Sequence, residues 1–479
     1  MSQIEPPSTE VDWNARPLPK AVWWMYGFQI TNGVNFTIAL GTPMVLIGRF
    51  LGAREALIGL ILALTPFLNV LQMLASNTAE RWGYKRIVLA GWGTRSFAIL
   101  LAAPLPLLHG QTLWGWAVPD SALLAALITL LFVFNCIRGL TCVGWVPWVS
   151  QVVPEEQRGR FFGWDQTSVN TGVLVTLLVA GFFVGNDPIG VPGWKYAVLL
   201  GVSWLAGWLS VQFLKPVPCT MPAAAAAKAS RSWADRGKAY REVWRHKPFR
   251  RLVYWQALNS LAWGAYGGFT TIFMRDKLNI GEGHIMGIAA AGTIGVILTS
   301  ILWGRFSDRY GSRPTMRLAG IGQLAVLAVW GLAAAGLLSI TPGQIFVLSL
   351  AFGIICAGIT IPFLKLYMAS FPKGEMTIAV TLNTVITSIC AGCAPLVWGW
   401  VLEMLGTVES MKHGLLRPFS VFFGVTAILT ILLQVVLTRI HDTKSMPTLK
   451  LVGLIVFDWP RQFLADTLTL LPGQKPRGK

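Results

Sequence analysis

Three cations lie where a chain can least easily hold them. Arg95, Arg138 and Lys365 each fall inside a long apolar run. Charge in a hydrocarbon core is costly and is kept mainly for function. Long side chains of this kind can also snorkel to water if they lie toward one end of a run. Arg95 and Arg138, both in the first half of the chain, could attract an anionic solute. Amides and aromatic rings accompany them. Gln29, Asn32 and Asn35 lie in one run, and Asn259, Trp263 and Tyr266 lie in another. Two more runs carry polar stripes at helical spacing: Thr65, Asn69, Gln72 and Ser76, then Thr377, Thr381, Thr384 and Ser388. Stripes of this kind suit a wet cavity, and amides beside aromatic faces suit a hydroxylated or planar solute. The same residue types also bridge packed helices in membranes. The expected solute contacts are Asn32, Asn35, Arg95, Arg138, Asn259, Trp263, Tyr266 and Thr384.

Catalytic constellations are a different matter. The sequence has no G-K-[ST] phosphate loop, which speaks against ATP-driven transport. It has neither H-E-x-x-H nor G-x-S-x-G, and its five His stand outside the centres of the apolar runs. No enzyme activity and no cofactor are therefore expected. Cys390 and Cys393 have the C-x-x-C spacing that can bind a soft metal. With no His nearby they read as a small-residue patch, and no metal site is expected. Asp165 and Glu403 sit near the ends of predicted helices, so no deeply buried proton carrier is expected either.

The elements that must position these residues follow from composition. The 479 residues are 54% hydrophobic and only 13% charged, about half the charge of an ordinary soluble domain. Runs of about 20 apolar residues match the helix length that crosses a bilayer core. Backbone groups in lipid must be satisfied internally, which makes these runs helices. Spans 1 to 12 are predicted near 21–48, 55–76, 87–108, 121–148, 165–186, 194–214, 252–274, 283–303, 316–338, 344–369, 376–403 and 417–438. Lys and Arg concentrate on the side shared by both termini. The positive-inside rule places that side in the cytoplasm. The formal charge of +18 then reflects topology and contact with anionic lipids at the cytoplasmic face rather than nucleic acid. In a bacterium this would be the inner, plasma membrane. A monomer is expected.

Internal repetition sets the architecture. One offset relates Gly59 to Gly287 and Glu80, Arg81 and Gly83 to Asp308, Arg309 and Gly311. Val146, Pro147 and Trp148 are echoed by Ile361, Pro362 and Phe363 at a slightly shorter one. The chain divides into a tail at 1–20, a six-helix half at 21–214, a basic linker at 215–251, a second six-helix half at 252–440 and a tail at 441–479. In the linker Trp233, Gly237, Tyr240 and Trp244 share one helical face, which predicts a short helix lying on the cytoplasmic leaflet. The apolar stretch 449–471 is broken by charges and Pro460 and reads as interfacial.

Two loop motifs make a resemblance specific. Gly304, Asp308, Arg309, Gly311 and Arg313 follow the pattern G-x-x-x-D-R-x-G-x-R/K, the signature loop of the major facilitator superfamily. Ser76, Glu80, Arg81, Gly83 and Lys85 repeat it in the first half, with Ser and Glu replacing Gly and Asp. Pro154, Arg158, Gly159 and Arg160 resemble that family's loop between helices 4 and 5. The resemblance covers about 20–440. It implies an all-α membrane protein with the twelve-helix major facilitator fold, its halves related by a pseudo-two-fold axis and a solute site between them at mid-membrane. It also implies that the two motif copies latch the cytoplasmic ends of the halves. Two departures limit the carry-over. Span 5 lacks the antiporter run G-x-x-x-G-P-x-x-G-G, so drug/proton antiport loses its usual support. Cys142 stands where the family has Gly after the span 4 Arg.

Two function classes remain. One is a secondary transporter of a small solute, hydroxylated or anionic, working by rocker-switch alternating access. The other is a non-transporting relative acting as receptor or assembly factor for a membrane complex. The 22 Trp and the apolar tail are compatible with the second, whereas the polar stripes favour the first.

Overall fold

The computed structural model describes residues 18–75, 82–113, 116–154, 157–186, 190–219, 233–371, 376–407 and 416–440. Among them, eleven helices are long and apolar enough to cross a membrane. Spans 1 to 6 are Ala21–Phe50, Glu55–Ala75, Tyr84–Leu107, Asp120–Val152, Phe161–Val184 and Gly193–Leu214. Spans 8 to 12 are Glu282–Tyr310, Ser312–Ala335, Pro342–Ala369, Ile378–Thr407 and Pro418–Leu437. Span 7 is assembled from two shorter helices, Lys247–Trp263 and Tyr266–Asp276. Its break at Gly264 and Ala265 is why length and apolarity alone do not pick it out. The first of these helices begins at Lys247. A two-residue hairpin, Thr112–Leu113 against Trp116–Ala117, joins spans 3 and 4.

Packing repeats as the sequence does. In the first half spans 1·5, 1·6, 2·4, 3·4 and 3·6 pack together; in the second half 7·11, 7·12, 8·10, 9·10 and 9·12 do so. Each pair in one list maps onto a pair in the other by adding six. The halves meet through spans 2·11 and 5·8, a set that the same exchange carries onto itself. That is the pseudo-two-fold relation in contact form.

Small residues permit the close crossings. A Cβ on Gly59 would stand 2.3 Å from the Pro395 carbonyl oxygen, and one on Gly399 2.6 Å from that of Glu55. Across the other crossing, a Cβ on Gly283 would meet the Gly181 carbonyl oxygen at 2.6 Å. Helices in lipid gain little from hydrophobic contrast with their surroundings, so backbone-to-backbone contact of this kind carries the association.

The helix Trp233–Arg245 forms, and its last turn packs on the second half. Val243 is buried in a cluster with Phe249, Val253 and Ala379 of spans 7 and 11, and Trp244 stands edge-on to Tyr254 of span 7. The segment 449–471 lies outside the described residues.

Candidate functional site

The interior of the first half is built from amides and two arginines. Arg95 on span 3 has no exposed surface. Its Nη2 donates to Asn32 Oδ1 of span 1 at 2.6 Å. The rings of Phe36, Trp92 and Phe134 surround its guanidinium at 4.7, 5.0 and 5.4 Å. Its Nε and Nη1 find no acceptor. Cation–π contact is what compensates this charge. Arg138 on span 4 donates from Nε to Asn135 Oδ1 at 3.1 Å and from Nη2 to the Thr65 carbonyl of span 2 at 2.8 Å. Thr65 Oγ1 donates to the same Asn135 oxygen. Arg138 thus clamps span 2 to span 4, and a backbone carbonyl holds the group proposed for an anionic solute. Asn35 is also committed. Its Nδ2 donates to the Ser203 carbonyl of span 6 at 2.8 Å, at the 1·6 contact.

The second half contributes an aromatic wall. The rings of Trp263 and Tyr266 lie 4.9 Å apart at the break in span 7, and Phe352 of span 10 stacks on Trp263 at 5.3 Å. Tyr266 also meets Phe423 of span 12. Asn259, one turn before Trp263, is half-buried and has no hydrogen-bond partner among the described residues. Thr384 on span 11 donates to the Val380 carbonyl of its own helix.

The expected solute contacts therefore divide. Asn32 joins Arg95, and Trp263 joins Tyr266, but none of the described polar contacts links the first pair to the second. What lies between them is set by the 2·11 crossing. A Cβ on Gly392 would touch the ring of Phe67 at 2.7 Å, and one on Gly264 would approach Ala391 of span 11. These contacts put Asn69, Ser388, Asn259 and Trp263 near one level, just on the termini side of the crossing. Two of them carry orphaned polar atoms: Asn69 Oδ1, an acceptor, and Trp263 Nε1, a donor, are buried without partners. Unsatisfied buried groups in a folded protein call for an explanation. One is an acceptor and the other a donor, the two kinds of partner a hydroxyl takes. The helical stripe had marked Asn69, but nothing in the sequence ranked it above its neighbours.

A buried acid corrects the expectation that no deep carboxylate exists. The helix carrying span 5 begins at Arg158, not at Asp165, so Asp165 lies two turns inside it and is only 9% exposed. Gln29 Nε2 of span 1 approaches its two oxygens at 2.7 and 2.8 Å. A carboxylate held by a neutral amide can gain or lose a proton without breaking an ion pair.

At the face opposite the termini the halves are tied by charge. Arg49 at the end of span 1 contacts Glu55 at 2.8 Å and, from Nε, Asp276 of span 7 at 2.7 Å. Arg275 reaches Glu282 at 3.0 Å, and the Tyr196 hydroxyl of span 6 donates to that same acid. Gly283 N donates to the Gly185 carbonyl and Ala56 N to Glu403. These bonds and the glycine crossings close that face.

The signature segments behave differently. Gly83 and Gly311 hold φ of +91° and +98° at matching positions of the repeat, a backbone region only glycine enters freely. Gly304 has no such need, since a Cβ there would meet Ile361 at an ordinary 3.7 Å. Asp308 pairs with Lys365 of span 10, within its own half. Arg309 lies over the Tyr310 ring at 5.4 Å, and Arg313 is half-buried at the start of span 9. Lys85 donates to the carbonyls of Lys215 and Val217, capping the end of span 6, where a cation also complements the helix dipole. Ser76, Glu80 and Arg81 lie outside the described residues. Among the described residues no third His, Cys, Asp or Glu groups with Cys390 and Cys393.

The family model described as Major Facilitator Superfamily matches residues 25–395 and 256–453. Among solved structures, a mutant form of the nucleoside transporter NupG is 15% identical with a TM-score of 0.66, covering 88% of this chain and 100% of its own. The D-xylose-proton symporter is 14% identical with a TM-score of 0.63 over 85% and 96%. The inward-open xylose transporter XylE from E. coli is 11% identical with a TM-score of 0.63 over 90% and 98%. No curated protein sequence matches.

Proposed function

This chain belongs to the major facilitator superfamily, and we propose that it is a secondary transporter of a small hydroxylated solute that works by rocking its two halves. The observation that carries the reading is the pair of orphaned polar atoms, Asn69 Oδ1 and Trp263 Nε1, on opposite halves near the 2·11 crossing. The nucleoside transporter and the D-xylose symporter named above handle solutes rich in hydroxyl groups, which supports the same class. An anionic solute loses support because Arg138 rests on the Thr65 carbonyl.

With the termini in the cytoplasm, closure through Arg49, Asp276, Tyr196 and Glu282 seals the outer face and describes an inward-facing state. Asp165, beside Gln29 on the same half, is the group suited to couple a proton to that movement. The receptor or assembly-factor alternative is not favoured: it needs no polar site between the halves.

Thermal-shift screening of the purified protein against pentoses, hexoses, nucleosides and carboxylates tests the reading. Stabilisation by hydroxylated solutes, lost in Asn69→Ala, is the expected result. Stabilisation by carboxylates alone, lost in Arg95→Gln, would replace it with the anionic reading.

A further inference from the structure

We propose that the groove between spans 5, 8 and 10 holds one acyl chain of a phospholipid from the leaflet opposite the termini, with the phosphate at Asn186, His284 and Lys195. The groove has a volume of about 500 Å³ and draws its lining from both halves. Leu178 and Phe182 come from span 5, Gly287 and Ile288 from span 8, Gly343 and Phe346 from span 10. It lies beyond the 5·8 crossing and away from the solute site on spans 2, 7 and 11.

Its surroundings identify the occupant. Phe182 is 93% exposed and Leu178 and Phe346 are exposed beside it. On helices that span a bilayer, such apolar exposure is exposure to hydrocarbon, so the groove opens sideways into lipid. An apolar recess there is filled by what surrounds it, and that is an acyl chain. Gly287 and Gly343 leave the recess room, because a Cβ on either would meet nothing within 4 Å. The neighbouring Gly181 and Gly283, by contrast, are spent on the helix crossing.

One end of the groove is polar. Asn186 Oδ1 accepts from His284 N at 2.8 Å, and both side chains stand exposed at the end of span 5 and the start of span 8. Lys195 Nζ donates to the Val184 carbonyl at 2.8 Å and stands next to Gly185. An ammonium offers three donors, so two remain for a phosphate. An apolar slot capped by an amide and an imidazole, with an ammonium beside the adjoining Gly185, matches a phospholipid, with its phosphate at the interface and its chain below.

The groove can be filled without disturbing the crossing. The protein would be reconstituted in bilayers containing a phospholipid with a photoactivatable diazirine on the acyl chain, and labelled peptides mapped after illumination. Labelling concentrated on span 5 around 178–182 and on span 10 around 346 is expected. Gly287→Phe and, independently, Gly343→Phe should abolish it while leaving labelling elsewhere intact. Lys195→Ala with His284→Ala should reduce it. Labelling spread evenly over the lipid-facing helices, or unchanged in both filled variants, would overturn the proposal. So would protection of the groove by a second copy of the chain.

Discussion

Arg49 Nε and Asp276 Oδ2 stand 2.7 Å apart, one at the end of span 1 and the other at the end of span 7. These are equivalent places in the two repeats, so the ion pair lies near the pseudo-two-fold axis. Arg49 also holds Glu55 and the Ala53 carbonyl within its own half. Its guanidinium therefore stays oriented whether or not Asp276 is in reach. A group fixed on one half and released by the other is what a gate at that face requires.

The gate prediction follows. The pair is only about one-fifth exposed but Asn keeps an acceptor for Arg49, so Asp276→Asn should cost about 1 kcal/mol and shift the balance of states by roughly fivefold while the protein still inserts. Spin labels at Thr112 and Lys277, on loops of opposite halves, report that balance through their distance. The variant should populate the longer distance. An unchanged distribution would show that the glycine crossings alone keep this face closed.

The site prediction concerns Asn69 and Trp263. A hydrogen bond to a solute hydroxyl contributes about 1–1.5 kcal/mol, or close to tenfold in affinity. Asn69→Ala and Trp263→Phe should each raise KM by about that factor and change the maximal rate much less. Equal losses in both constants, or none, would place these atoms away from the solute.

Much of the fold was legible because apolar run length and a duplicated motif are local signals. Gly83 and Gly311 announce the same turn twice, and both hold the left-handed φ that the motif implies. Individual side-chain partners were not legible. Asn35 and Asn32 are three residues apart on one helix, yet one serves span 6 and the other Arg95. Periodicity gives a face but not what that face meets. Asp165 was misplaced for another reason. Arg158 and Arg160 open its helix and the stretch 165–171 is again mostly polar, so the short aromatic cluster Phe161, Phe162 and Trp164 between them does not read as the start of a span. Arg49 and Asp276 were missed because both belong to span ends, where charge is ordinary.

Orientation has a direct test. The linker helix ends on the second half with Lys238 exposed, on the side given to the cytoplasm by the positive-inside rule. A Lys238→Cys variant should resist a membrane-impermeant maleimide in intact cells and react after permeabilisation. Labelling in intact cells would invert the topology and, with it, the inward-facing assignment.

The signature segment should matter for switching rather than for folding. Asp308 and Lys365 are both largely exposed, so their pair contributes about 0.5 kcal/mol to stability. Asp308→Asn should leave insertion and thermal stability nearly unchanged and slow turnover. If Lys365→Met slows turnover equally and the double variant no further, the pair acts as a unit. Full turnover in both single variants would leave the segment a topological feature only.

The last prediction separates coupling from solute binding. Asp165 is buried on span 5, and the Gln29 amide from span 1 holds it. Asn keeps the size of the side chain and its bond to Gln29 but cannot titrate. If Asp165 carries the coupled proton, Asp165→Asn should abolish accumulation driven by a pH gradient across proteoliposomes. It should retain exchange of labelled for unlabelled solute, because exchange needs the halves to rock but needs no net proton movement. In the wild type, raising pH on both sides should slow uptake; in the variant that dependence should vanish. Loss of exchange together with uptake would instead make Asp165 a structural tie between spans 1 and 5. Retention of both, with the pH dependence intact, would move the search for the coupling group elsewhere, with Glu282 and its partner Tyr196 the next pair to examine.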